Sequence, residues 1–117
     1  MVGLGSALES AISGIVAQST RLSVSAHNVA NMQTDEFRAS RTVLEAKGGG
    51  GVEARVETVD ARGPTIVEPN GERREASNVS LEYEIGQQIL AEHGLRASVR
   101  TLRVISESLG SILDLHV

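Results

Sequence analysis

The sequence predicts a mainly α fold: a long antiparallel hairpin of N- and C-terminal helices, coiled-coil-like, with a small β-hairpin insert. Three observations predict it. Apolar or small residues recur at alternating spacings of four and three from Leu4 to Val29, and the same period returns from Leu81 to Leu113. Between them, residues 52–57 alternate with period two. The 117 residues are read as one structural unit, because two independently cored domains need more length. The expected divisions are an N-terminal helix over 1–31, a loop and small β insert over 32–79, and a long C-terminal helix over 80–117.

In the first helix the expected seam is Leu4, Leu8, Ala11, Ile15, Gln18, Leu22, Ser25 and Val29. Ser6 with Glu9 has the spacing of a capping box, and Asn28 and Asn31 suit the far end because Asn tolerates left-handed backbone. Gln33 to Gly51 shows no period and ends in four glycines, which predicts a flexible loop. Val52, Ala54 and Val56 alternate with charged residues, and Thr65-Ile66-Val67 follows the Gly63-Pro64 break. This predicts a β-hairpin between those two segments, closed off by Pro69-Asn70-Gly71, with Glu72 to Ser77 as loop.

Ser80 is the expected N-cap of the second helix, with Glu82 and Glu84 in the first turn, where the helix dipole favours negative charge. Its expected seam runs Leu81, Ile85, Gln88, Glu92, Leu95, Val99, Leu102, Ser106, Leu109 and Leu113. Gly86, Gly94 and Gly110 oppose helix formation by roughly 1 kcal/mol each. Burial of the seam aliphatics, at about 1.5 to 3 kcal/mol apiece, outweighs this provided a partner surface covers them.

The two helices are unequal, about 40 Å and about 50 Å long at 1.5 Å per residue. Roughly two turns of the second, with Leu109, Ile112, Leu113 and Leu115, are therefore expected to overhang. Two helices also have no interior, so Ile12, Val16, Ile89, Val104 and Ile105 outside the seams need further cover. The pattern asks for neighbouring chains.

Composition narrows the functional classes. Phe37 and Tyr83 are the only aromatic residues, so the core is aliphatic and thin. A net charge of -4 argues against nucleic acid, and a single lysine, Lys47, argues against a polybasic membrane tether. Without cysteine there is no disulfide framework, thiolate metal site or cysteine nucleophile. Met1 to Ser13 lacks the basic and apolar regions of a cleavable secretory signal, and no apolar run is long enough to span a bilayer.

Catalytic and ligand-binding patterns are equally thin. His27, His93 and His116 have no carboxylate or second histidine at chelating spacing; Glu92 adjoins His93, but adjacent helical residues diverge. No Gly-x-Ser-x-Gly elbow occurs, and the tetraglycine is not followed by the Gly-Lys-Ser/Thr of a phosphate loop. No catalytic residue, cofactor, metal or small-molecule substrate is expected. Arg96, Arg100 and Arg103 share one helical face, a stripe suited either to an acidic partner or to ion pairs within the hairpin.

Gln18 to Asn31, QSTRLSVSAHNVAN, continued by Thr34, Phe37 and Arg38, resembles the N-terminal signature of bacterial flagellar axial proteins. The matching motif residues are Asn28, Ala30, Asn31, Thr34, Phe37 and Arg38. The stretch from Asn78 to Leu115 is similar to that family's C-terminal helix. Phe37-Arg38-Ala39, Gly50-Gly51-Val52 and Glu68-Pro69 resemble the middle segment of the short basal-body rod proteins, most closely the C-type subunits of the proximal rod. Glu36 stands where the family usually has Gly, and Leu95 where it usually has an aromatic.

The resemblance implies a structural protein without catalytic activity, exported through the flagellar type III apparatus without signal cleavage. It implies a place in the periplasm-spanning rod, with itself and other rod subunits as partners in a helical assembly. The expected assembly residues are Leu8, Ile15, Leu22, Val29, Leu81, Ile85, Leu95, Val99, Leu102, Leu109 and Leu113. The competing reading is a soluble coiled-coil homodimer, an adaptor or binding module that closes the same apolar stripes on a second copy.

Overall fold

The computed structural model describes residues 2–115. Its elements are α1 (Val2–Ala30), β1 (Ser40–Ala46), β2 (Val52–Thr58), β3 (Thr65–Val67), β4 (Arg73–Glu75) and α2 (Leu81–Leu115). The fold is therefore mainly α with a small β insert. The molecule is a rod of 79 × 23 × 15 Å with a radius of gyration of 20.3 Å, whereas a compact chain of this length has about 13 Å.

Contacts between α1 and α2 run in opposite order along the two helices. Asn28 and Ser25 meet Glu84, Gln18 meets Gly94, Gly14 meets Ser98, and Ala7 and Ala11 share a shallow groove with Ala97 and Thr101. The most enclosed residues along this line are small or polar. Ala91 is 0% exposed and Ala17 1%, with Ala11, Ser25, Asn28 and Glu84 also buried. A Cβ on Gly94 would lie 2.5 Å from Gln18 Cδ, and one on Gly14 would lie 2.6 Å from Ser98 Oγ. Backbone approach is limited here by glycine, alanine and serine.

The expected seam is kept at Ala11, Gln18, Ser25 and Gln88, which lie on the contact line, and is displaced by one position at the alternate places between them. Leu8, Ile15, Leu22 and Val29 come one residue after Ala7, Gly14, Arg21 and Asn28, and Ile85, Leu95 and Val99 come one after Glu84, Gly94 and Ser98. One residue is about 100° of rotation, and in oppositely directed helices such positions turn to the same side of the pair. The aliphatics thus form a flank. Two adjacent positions share the 3.5-residue period, and the small residues take the inner one because they let the backbones close up. Ile105, expected outside, is buried, whereas Ile12, Val16, Ile89 and Val104 are exposed.

The β insert departs from expectation in its pairing. Residues 52–58 pair antiparallel with 40–46, Ser40 opposite Thr58 and Ala46 opposite Val52. Thr65–Val67 pairs instead with Arg73–Glu75, a stretch expected to be loop. The tetraglycine and the Pro69-Asn70-Gly71 stretch act as turns between neighbouring strands, so each hairpin closes locally at small entropic cost. Gly50 and Gly51 adopt φ of 102° and 84°, a region open to glycine, while Lys47 N–H donates to the Gly51 carbonyl at 3.1 Å. The Glu68 N–H donates to the Glu72 carbonyl at 2.8 Å around Pro69-Asn70-Gly71.

The first hairpin lies on the flank of the helix pair away from the aliphatic stripe. Val52 N–H donates to Ser13 Oγ at 3.1 Å, and Ser40 and Thr42 lie beside Val24, Tyr83 and Gln87. Helix α2 is capped by Ser80, whose Oγ accepts from Tyr83 N–H at 3.3 Å. Helix α1 spans Val2–Ala30, so Ser6 and Glu9 lie inside it and do not cap its start. The register of the helix pair lets α2 overhang α1 by about one turn rather than two.

A leucine-lined seam would welcome a larger side chain, and this one has no room. Ala91→Leu is expected to destabilise the protein by about 1 to 3 kcal/mol through overpacking. Urea unfolding followed by circular dichroism measures it, and an unchanged or higher midpoint would contradict the close approach.

Candidate functional site

The motif residues at the end of α1 converge on a buried polar cluster. Asn28, fully enclosed, donates through Nδ2 to the Ser40 carbonyl at 2.7 Å and to the Glu84 carboxylate at 2.8 and 3.1 Å. Its Oδ1 accepts from Ser40 N–H at 3.0 Å. One side chain therefore joins α1, β1 and α2. Ser25 Oγ extends the cluster, donating to the Glu84 carbonyl at 3.1 Å and accepting from Gln88 Nε2 at 3.2 Å. Burial pushes the Glu84 carboxyl above its ordinary value of 4.5, and the hydrogen bond from Asn28 opposes this more weakly.

The remaining motif residues shape the exit from the helix. Asn31 Nδ2 donates to the His27 carbonyl at 3.0 Å, and Asn31 Oδ1 accepts from Thr34 Oγ1 at 3.2 Å. Phe37 N–H donates to the Thr34 carbonyl at 3.2 Å, and its ring stands edge-on to His27 at 5.7 Å. Arg38 pairs with Glu75 at 2.9 Å and donates to the carbonyls of Asp60 and Ala61. Ala30 is exposed and takes no part. Glu36 adopts a φ of 62°, the left-handed conformation that glycine adopts without strain.

Sequence reasoning missed two members of this construction. Glu84 was assigned to the helix dipole, yet it is buried at the junction of three elements. Asn78 accepts from Ala39 N–H at 2.6 Å and donates to the carbonyls of Val59 and Ala61 at 2.9 and 2.7 Å, pinning the insert to the start of α2. The available signal was the pair of asparagines, Asn28 and Asn78, each at a helix boundary and each able to donate and accept at once.

The expected assembly residues lie mainly at the surface. Leu22, Leu81, Ile85, Val99, Leu109 and Leu113 are exposed, Val99 at 44% and Leu113 at 66%, while Leu8, Ile15, Val29, Leu95 and Leu102 are half-buried. Arg96, Arg100 and Arg103 border this stripe and, with Leu95 and Val99, line a shallow groove of about 330 Å³. Arg96 pairs with Glu92 at 2.7 Å; among the described residues Arg100 and Arg103 have no ion-pair partner. A larger groove, about 700 Å³, runs between α1 and the β1–β2 hairpin over Ile12, Val16, Val52 and Ala54.

Among the described residues no three histidine or acidic side chains are grouped to hold a metal ion, and His116 lies outside that range. No helix among the described residues is long and apolar enough to cross a membrane. The geometry offers hydrogen-bond fastening inside and apolar, charge-bordered grooves outside. The chain matches no family model and no curated protein.

The raised Glu84 carboxyl makes the folded state the better proton binder, so its stability contribution is full below 4.5 and is lost as pH rises through the raised value. Relative to Glu84→Gln, which keeps one acceptor and carries no charge, the wild type is expected to lose stability between weakly acidic and neutral pH. Parallel urea midpoints across that range test this, and parallel profiles would contradict it. Glu36→Gly is expected to relieve the left-handed strain, worth about 1 kcal/mol before glycine's own entropy cost is subtracted. A loss of stability as large as the whole entropy cost of glycine, about 1 kcal/mol with no offset, would show that Glu36 is not strained.

Proposed function

We propose that this chain is a structural subunit of the bacterial flagellar basal-body rod, similar to the C-type subunits of the proximal rod. It acts without catalysis, is exported through the flagellar type III apparatus into the periplasm-spanning rod and joins copies of itself or other rod subunits. In this reading α1 and α2 form an antiparallel coiled-coil-like hairpin, the unit that stacks into the helical assembly.

The observation that carries the proposal is the inversion of side-chain size across the helix pair. Alanine, glycine, serine and hydrogen-bonded polar groups fill the inside, whereas Leu22, Ile85, Val99, Leu109 and Leu113 face solvent along one flank. An apolar stripe of this length is unfavourable in water and favourable in a polymer that covers it on every subunit. Two features of the motif add support. Asn28 ties the helix exit to the insert and to α2, and Glu36 occupies a glycine-like conformation where the resembling family has glycine.

The test is a substitution on the stripe that leaves the hairpin interior untouched. In cells whose only copy carries Val99→Asp, swimming and rod completion are expected to fail, because a carboxylate buried at a subunit contact has no partner. The purified variant should keep its helix content and its unfolding midpoint to within about 0.5 kcal/mol. Normal motility with intact basal bodies would overturn the proposal, and a closed, concentration-independent dimer in the wild type would favour an adaptor.

A further inference from the structure

The two grooves differ in charge, and the difference is complementary. The larger is floored by Ile12 and Val16, exposed at 48% and 60%, and rimmed by Glu9 and Glu53. Among the described residues neither glutamate has an ion-pair partner, and Lys47 is the single cation in that lining. All five residues lining the smaller groove belong to α2, so it is a shallow depression on the convex surface of one helix, which presents Leu95 and Val99 as an apolar ridge with Arg96, Arg100 and Arg103 around it. One surface is an apolar channel with acidic edges, and the other an apolar ridge with basic edges.

We propose that the arginine-bordered ridge of α2 in one copy docks in the groove between α1 and the β1–β2 hairpin of a second copy. The occupant is another molecule of this chain because both halves of the match are present in it. Lengths agree as well: Leu95 to Arg103 extends about 12 Å along α2, and Glu9 to Thr20 about 16 Å along α1. Val99 and Leu95 cover Ile12 and Val16, while Arg100 and Arg103 meet Glu9 and Glu53. Arg96 stays with Glu92 at 2.7 Å.

The groove lies on the hairpin side of the molecule and the ridge on the opposite flank, so the contact is heterologous. Each docked copy leaves one groove and one ridge unfilled, and growth continues instead of stopping at a pair. The proposal rests on the assembly reading above and specifies which surfaces meet. It also makes the contact salt-sensitive, since four exposed charges meet at its edges.

The test uses the purified full chain in sedimentation velocity over a concentration series at low and high salt. Wild type is expected to grow in size with concentration, less so at high salt. Arg100→Glu with Arg103→Glu, and separately Glu9→Arg with Glu53→Arg, should each weaken self-association by at least about tenfold. An equimolar mixture of the two double variants should restore growth, because each reversed edge then meets a reversed groove or an unaltered pair. Circular dichroism of each variant establishes that it is folded.

A wild type that stays monomeric, variants that associate like wild type, or folded variants whose mixture does not recover, would each overturn the contact. Motility in the Val99→Asp cells separates the two proposals. Loss of swimming alongside a monomeric wild type leaves the rod reading standing without this contact. Restored mixing alongside normal swimming leaves the contact standing and removes the rod.

Discussion

The close approach of α1 and α2 governs everything else in this molecule. Gly14 against Ser98 and Gln18 against Gly94 set the separation of the two backbones, and at those two positions a side chain larger than glycine does not fit. Because the interface is made mainly from small residues, Leu22, Ile85, Val99, Leu109 and Leu113 of the same helices are displaced to its edges, and Ile105 alone among the large aliphatics of the described residues is buried. Because the backbones are near, Asn28 on one helix reaches Glu84 on the other and Ser40 on the insert. The placement of the β1–β2 hairpin, the exposed stripe and both grooves follow from that separation.

Such a seam trades hydrophobic burial for contact density. Ala11, Ala17 and Ala91 bury little apolar area each, so the interface depends on dispersion between close backbones and on satisfied polar groups. Glu84 shows the cost. Its carboxylate is enclosed with one amide as its side-chain donor, and burial disfavours its charged form. The compensation is directional: a leucine in its place has no means to orient β1 relative to both helices.

Much of this was legible in the sequence, and the limits were physical. The two long helices and the Ser80 cap followed from periodicity and capping chemistry. Which of two neighbouring stripes faces inward did not, because Leu8 and Ala7, or Leu95 and Gly94, share one period. Hydrophobicity favours the larger residue, whereas close packing favours the smaller. The strand Ser40–Ala46 was missed because its polar and apolar residues alternate poorly, and the four glycines after it have the composition of a linker. Only the partner strand shows that they form a turn. Glu84 had a plausible surface role in the first turn of a helix, and nothing local distinguished that from burial.

Among the described residues the buried apolar ones are Ala11, Ala17, Ala39, Ala91 and Ile105, a core almost without volume for a molecule 79 Å long. A solitary copy is consequently a scaffold with most of its adhesive on the outside. In the proposed assembly, a surface closing over Leu22, Val99 and Leu109 would contribute to folding as well as to association, by linkage between binding and the native state. On that proposal rigidity would belong to the finished architecture, and dilution would act as a denaturant.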